Sequence, residues 1–161
     1  MRLSHLVAVM AATALAISPA AADVSATGSF GERISISKSS VKNSQVVTVK
    51  GTGFDETVGL YLAYCVLPKK GQAPTPCGGG ANMKGIGDAS FWISSNAPPY
   101  AKGLVIPFKP GGRFTQKVSV SKRIGKFDCT KVKCAITVRS DHLREGDRTR
   151  DLFIPITFTK K

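Results

Sequence analysis

Residues 129–139 read CTKVKCAITVR, and this stretch decides the fold. Its two cysteines bracket a loop of four residues, a length that suits a tight hairpin. From Cys134 onward the side chains alternate in character, which predicts a half-buried strand. One face of that strand carries Ile136 and Val138, and the opposite face carries Ala135, Thr137 and Arg139.

A second cysteine pair closes a longer loop in the first half of the chain. Residues 58–65 read VGLYLAYC and predict a strand that ends in Cys65. A loop rich in Pro, Gly and Lys then leads to Cys77. Alternation puts Leu60, Leu62 and Tyr64 on one face of this strand and Tyr61, Ala63 and Cys65 on the other.

Further strands are predicted by the same alternation. The last of them contains Pro155, which has no N–H to donate and therefore indicates an edge strand or a bulge. With no convincing helix, seven short strands predict an all-β, seven-stranded antiparallel β-sandwich. The two long connections, 66–89 and 95–112, are of a length that is often functional. The other five strands are expected at 33–37, 47–50, 90–94, 113–120 and 152–158.

The first residues have the pattern of a secretory signal. Arg2 precedes an apolar run from Leu6 to Ile17, and Ala20 to Ala22 offers a cleavage site. A membrane anchor needs roughly 20 apolar residues, more than this run contains. We therefore expect a cleaved signal peptide at 1–22, a flexible segment at 23–32 and one domain at 33–161, in a soluble protein secreted to the extracellular side.

Export determines how the four cysteines are interpreted. In an oxidising compartment they form two disulfides, and three pairings are conceivable. The spacing favours the local pairs Cys65–Cys77 and Cys129–Cys134. A zinc site of four cysteines is the competing interpretation, but the wide spacing of the first pair does not suit it.

The chain is strongly basic, with 23 Lys plus Arg against 10 Asp plus Glu and a net charge of +13. A hydrophobic content of 42% indicates a folded chain, so the charge belongs to a folded surface. We expect weak retention on an anionic envelope polymer or membrane surface rather than on nucleic acid, since stacking aromatics are not interleaved with the cations. These cations are Lys69, Lys70, Lys109, Lys117, Lys122, Arg123, Lys126, Lys131 and Lys133.

The sequence offers few residues that could form a catalytic site or a metal site. Ser140, Asp141 and His142 are the right residue types for a hydrolase, but three consecutive residues cannot place their side chains in a proton relay. Calcium could bind Asp141, Asp147 and Asp151, but the arginines between them would repel it. We expect no enzyme activity, no cofactor and no metal.

The order of these motifs resembles the neocarzinostatin family. The resemblance runs from Ile34 to Phe158 and rests on the two cysteine loops, the strand GRFT at 112–115 and the segment IPITF at 154–158. It implies a secreted, monomeric, immunoglobulin-like sandwich with a ligand cleft on one sheet that holds an apolar enediyne chromophore. In this chain Tyr61, Ala63, Ala135, Thr137 and Arg139 would line the equivalent surface.

Two features depart from the family pattern. Tyr61 and Arg139 are large enough to fill the cleft, and the chain is basic where the antibiotic apoproteins are acidic. Two hypotheses follow: a non-enzymatic binding or envelope-associated protein, and a carrier of a small apolar ligand with an antibiotic, DNA-directed function. A cleft closed by these two side chains would argue against the carrier, and an open apolar crevice would support it.

A wider group of secreted actinobacterial proteins is similar in three other segments. These read WISSNAPPY at 92–100, RSDH at 139–142 and DRTRD at 147–151. The resemblance implies a third hypothesis, an accessory protein of haem acquisition, with His142, Tyr64 or Tyr100 as an iron ligand.

Overall fold

The computed structural model describes residues 23–79 and 88–159. The expected signal peptide lies outside these residues. Two sheets pack face to face, and the smaller one has four strands in the order β1-β2-β4-β8. They are β1 (Val24–Thr27), β2 (Arg33–Ile36), β4 (Gln45–Thr52) and β8 (Phe114–Val120), and each pairs antiparallel with its neighbour.

The larger sheet has six strands in the order β3-β12-β11-β5-β6-β7. Its central strands β11 and β5 pair antiparallel over seven residues of each. The strands are β3 (Ser40–Val41), β5 (Leu60–Val66), β6 (Ser90–Ile93), β7 (Val105–Ile106), β11 (Cys134–Ser140) and β12 (Leu152–Phe158). A separate small hairpin joins β9 (Arg123–Ile124) to β10 (Phe127–Asp128).

The core lies between the two sheets and is built from the inward residues of the alternating strands. Ile34 and Val49 from the smaller sheet meet Leu62, Ile136 and Ile154 from the larger one, all essentially inaccessible to solvent. Burial of these side chains is the main stabilising term of the fold, at about 1.5–3 kcal/mol for each fully buried aliphatic residue.

All seven predicted strands are present, and the prediction of an all-β sandwich with two local disulfides is confirmed. Because all four cysteines are oxidised, the zinc alternative is wrong. Pro155 lies on β12 at a point where β11 is its only strand partner, since β3 joins further along, at Thr157. The proline therefore occupies the edge position that its missing donor predicts.

The prediction of a flexible segment at 23–32 is wrong, because β1 lies there and pairs along its whole length with β2. Its sequence, VSAT, has no marked apolar alternation, and its residues are largely exposed. The strands β3 and β7 were missed because each has only two residues, too few for an alternation to show. They pair parallel with the predicted strands β12 and β6, so the larger sheet is not wholly antiparallel as expected. Within the described residues no helix is long and apolar enough to cross a membrane.

Candidate ligand-binding site on the outer face of the larger sheet

The outer face of β5 and β11 brings together all five residues predicted to line a cleft. The register of the two strands places Tyr61 opposite Arg139, Ala63 opposite Thr137 and Cys65 opposite Ala135. These three cross-strand pairs form one continuous row along the sheet. The row runs from a disulfide at one end to two large side chains at the other.

The small residues make a closed floor. Ala63, Ala135 and Thr137 are 5%, 0% and 1% exposed, although they lie on the face directed away from the core. The Thr137 hydroxyl donates to the Ala63 carbonyl oxygen at 3.2 Å, so its proton is already used. This part of the face is apolar and offers no free hydrogen-bond donor from the threonine.

Tyr61 and Arg139 occupy the other end of the row. The Arg139 guanidinium carbon lies 5.1 Å from the centroid of the Tyr61 ring, which is a cation–π contact. The arginine makes no hydrogen bond or ion pair with a described residue. The pair fills this end of the face, as its size predicts. A deep crevice for a bulky chromophore is not open at this point, but a partly exposed cation is available.

Three further rings surround Tyr61. Trp92 of β6 lies opposite Tyr61 across the strand pair, with ring centroids 6.0 Å apart. The His142 ring is 4.8 Å from Trp92 and 5.9 Å from Tyr61, and Tyr100 lies 6.3 Å from Trp92. We call Tyr61, Trp92, Tyr100 and His142 the aromatic cluster. Trp92 is buried at 8% exposure, whereas Tyr100 is 63% exposed.

His142 links the two tyrosines of the aromatic cluster. Its Nδ1 is 2.5 Å from the Tyr61 hydroxyl and its Nε2 is 2.8 Å from the Tyr100 hydroxyl. A neutral imidazole has one donor and one acceptor, so one tyrosine donates and the other accepts. Burial raises the pKa of the Tyr61 hydroxyl, which keeps that group protonated at neutral pH.

Asp141 positions this arrangement from beneath. The carboxylate is 1% exposed and accepts hydrogen bonds from the indole N–H of Trp92 at 2.9 Å and from the backbone N–H of Leu143 at 3.0 Å. Leu143 belongs to the short 3-10 turn His142–Arg144, so one carboxylate orients both the tryptophan and the turn that carries the histidine. A Cβ at Gly59 would lie 1.9 Å from the Asp141 carboxylate, so the site requires glycine there.

The family model described as the neocarzinostatin family matches residues 34–152. This chain belongs to the neocarzinostatin family. The matched range includes both disulfides, all five predicted cleft residues and the whole aromatic cluster.

Among solved structures, macromomycin is similar to this neocarzinostatin-family chain. The two share 16% sequence identity with a TM-score of 0.48, over 80% of this chain and 99% of that one. No curated protein matches the chain significantly.

Several predictions about individual residues of this family member are corrected or refined by the structure. Tyr64 is 1% exposed on the core side of β5, so the hypothesis that it binds haem iron is wrong. Ser140, Asp141 and His142 bind different partners; Ser140 donates to Asp147, while Asp141 and His142 belong to the aromatic cluster and its support. They form no catalytic relay.

Sequence reasoning missed Trp92 as a functional candidate and named Tyr100 only as a possible haem ligand, not as a neighbour of Tyr61 and Trp92. The pairing of β5 with β6 places Trp92 directly opposite Tyr61 on the same face of the sheet, so the strand register would have identified it. Tyr100 lies in the long 95–112 connection, on a short 3-10 turn, Pro99–Ala101. The length of that connection and the resemblance of residues 92–100 to other secreted proteins were the signals of a function there.

A rim of charged side chains lies beyond the 3-10 turn of His142. Arg148 pairs with Asp151 at 3.1 Å, and Arg150 pairs with Asp55 at 3.4 Å. Burial raises the pKa of the Asp151 carboxyl to about 6, more than the nearby Arg148 lowers it. The rim pairs its acidic groups with arginines, as the interleaved sequence predicts, while Arg139 forms no ion pair with a described residue, although its charge also lowers the pKa of Asp151.

Proposed function

We propose that this protein is a secreted, non-enzymatic carrier of a planar small molecule with an acidic group. The ligand would lie against the aromatic cluster, with its anionic group on Arg139. The observation that supports this most is the exposed Tyr100 ring, held by His142, in a cluster whose Tyr61 ring carries the Arg139 guanidinium. Exposed rings around a few fixed polar groups are typical of ligand sites.

The chemistry of the cluster determines the ligand class. Ring faces attract planar conjugated molecules by stacking, which is worth about 0.5–1.5 kcal/mol for each ring pair beyond the area buried. A guanidinium adds charge-assisted hydrogen bonds to a carboxylate. Since the Tyr61–Arg139 pair fills the row itself, a flat ligand at its edge fits better than a bulky enediyne in a deep cleft.

The proposed export agrees with the covalent structure. Two disulfides are stable in an oxidising compartment. Cleavage of a signal peptide after Ala22 would start the mature chain at Asp23, directly before β1. The exposed lysines spread over its loops would favour retention at an anionic envelope, which high salt would weaken.

Trp92 makes the binding proposal directly testable, because the chain contains a single tryptophan. We expect anthraquinone-2-carboxylate to quench its emission saturably. Arg139→Gln should weaken binding of this acid about tenfold and leave binding of the neutral carboxamide unchanged, since only the acid uses the guanidinium. Tyr100→Ala should weaken both probes, whereas Tyr100→Phe retains the ring and most of the effect.

Lys117→Gln is the matched control, since it removes one exposed cation from β8 of the other sheet. No saturable quenching by either probe would contradict the proposal. Equal loss of binding in Arg139→Gln and Lys117→Gln would contradict the role of the arginine.

Haem is a second candidate ligand, favoured by the hydrogen-bonded pair of Tyr100 and His142. It is planar and carries two carboxylates, which suits the proposed chemistry. Ferric haem therefore belongs in the same titration series. A Soret band that His142→Ala abolishes would identify haem as the ligand; binding without such a change would assign the site to other planar acids.

A further inference from the structure

A shallow, solvent-open depression of about 480 Å³ lies at the other end of β11 from the aromatic cluster. Its walls come from the turn between β3 and β4 and from the segment that follows β8, including the β9–β10 hairpin. It is separate from the proposed carrier site and from the five predicted cleft residues. The lining residues are Asn43, Ser44, Ser121, Lys122, Arg123, Asp128 and Thr130.

The lining is polar throughout and carries an excess of positive charge. Three hydroxyls and one amide share it with Lys122 and Arg123, and within the described residues neither cation forms an ion pair. The one carboxylate is ionised: Asp128 Oδ1 accepts the backbone N–H of Thr130 at 3.0 Å and its hydroxyl at 2.7 Å, and these bonds together with the nearby charge of Arg123 lower the pKa of the carboxyl. A ligand would therefore meet two cations and one carboxylate, so the lining keeps an excess of one positive charge.

The walls are held in place without a ligand. The Asn43 side-chain oxygen accepts the backbone N–H of Lys122 at 2.8 Å, which joins the two sides of the depression. The Lys122 carbonyl accepts from the N–H of Cys129 at 2.8 Å, and Cys129 is tied to Cys134 by a disulfide. Because the walls are already ordered, less conformational entropy is lost when a ligand binds.

Hydroxyls and an amide around two cations match a phosphate ester of a polyol or sugar. Cations bind phosphate oxygens, while hydroxyls and amides exchange hydrogen bonds with ligand hydroxyls. The lining includes no aromatic side chain on which a base could stack and no apolar side chain to enter a bilayer. We propose that this depression binds the phosphodiester-linked polyol units of an anionic envelope polymer.

This proposal goes beyond the carrier function and can fail independently of it. It assigns the binding of an anionic polymer to a defined site rather than to diffuse attraction by the net charge of +13. The test is binding of glycerol 3-phosphate and of poly(glycerol phosphate), with inorganic phosphate, glycerol and anionic phospholipid vesicles as separate arms. Binding is measured by calorimetry and by co-sedimentation.

We expect the double variant Lys122→Gln/Arg123→Gln to weaken binding of the polymer at least tenfold. The matched control Lys69→Gln/Lys70→Gln removes the same charge from an exposed loop elsewhere and should change binding less than threefold. Unchanged Trp92 emission would verify that both variants fold. Glycerol 3-phosphate should bind the wild type more tightly than inorganic phosphate does.

Three results would overturn the proposal. Equal weakening by both double variants would show that the charge acts diffusely. Equal affinity for inorganic phosphate and glycerol 3-phosphate would show that the polyol is not recognised. Vesicle binding with the same dependence on Lys122 and Arg123 would assign the site to lipid headgroups.

Discussion

The two ends of the β5–β11 strand pair are held together in different ways. At the end where β11 begins, the disulfides of Cys65 and Cys134 fix the loops covalently. At the end where β11 finishes, the described residues contain no disulfide. Hydrogen bonds from Asp141 and the contacts of the aromatic cluster hold that end instead.

This difference shows how one small sandwich can separate stability from recognition. The disulfides of the covalent end do not depend on protonation, and polar and basic groups surround them. The other end consists of rings and ionisable groups, and it leaves Tyr100 and Arg139 accessible to a ligand. We therefore expect reduction to affect the first end and loss of hydrogen-bond acceptors to affect the second.

Removal of the disulfides should give the largest change. In the loop-entropy model, Cys65→Ala/Cys77→Ala lowers the free energy of unfolding by about 3 kcal/mol, and Cys129→Ala/Cys134→Ala by about 2 kcal/mol, because the second loop is shorter. Urea unfolding of both variants measures this order. A larger loss from the shorter loop would contradict the entropic account of the covalent end.

Asp141→Ala should lower the free energy of unfolding by about 2 kcal/mol, and its effect falls on the end that carries the aromatic cluster. It leaves the buried indole N–H of Trp92 and the N–H of Leu143 without an acceptor. Asp141→Asn retains an acceptor oxygen and should lose less. Urea unfolding and Trp92 emission measure both effects, with Asp23→Ala, an exposed aspartate before β1, as control. Equal stability of Asp141→Ala and the control would contradict the positioning role.

The last expected effect is a pH dependence of opposite sign at the two ends. The raised pKa of Asp151, about 6 against 3.8, means that the folded state binds a proton more tightly than the unfolded state does. The free energy of unfolding therefore falls as pH rises from about 4 to about 6, and Asp151→Asn removes this fall.

Asp128 should show the reverse. The hydroxyl and N–H of Thr130 hold the pKa of the Asp128 carboxyl below 3.8, so its contribution is present above that pH and is lost in more acidic solution. Asp128→Asn should reduce the acid-induced loss, to which Asp55 and Asp147 also contribute, and leave the slope between pH 4 and 6 unchanged. Thermal unfolding from pH 3 to 7 measures both variants; identical profiles would contradict the assignment.

The core strands were predictable because their alternation has one physical cause. A strand with one buried face must alternate, so β5, β8, β11 and β12 are visible in the sequence. The strand β1 was not predictable this way, since its residues bury little and pairing with β2 holds it in place. Its place depends on a neighbour that the local sequence does not specify.

The candidate site was predictable only along the strands. Tyr61 and Arg139 could be placed on one face by phase, and the structure puts them opposite each other. The approach of Tyr100 and His142 depends on how two loops fold back over the sheet. No periodicity encodes that approach, which is why the aromatic cluster emerged only from the structure.

The most direct test of the central claim is the Trp92 emission during titration with anthraquinone-2-carboxylate, in the wild type, Arg139→Gln and Lys122→Gln/Arg123→Gln. The account predicts saturable quenching of similar affinity in the wild type and the double variant, and about tenfold weaker binding in Arg139→Gln. Absence of saturable quenching in the wild type, or equal affinity in all three proteins, would contradict it.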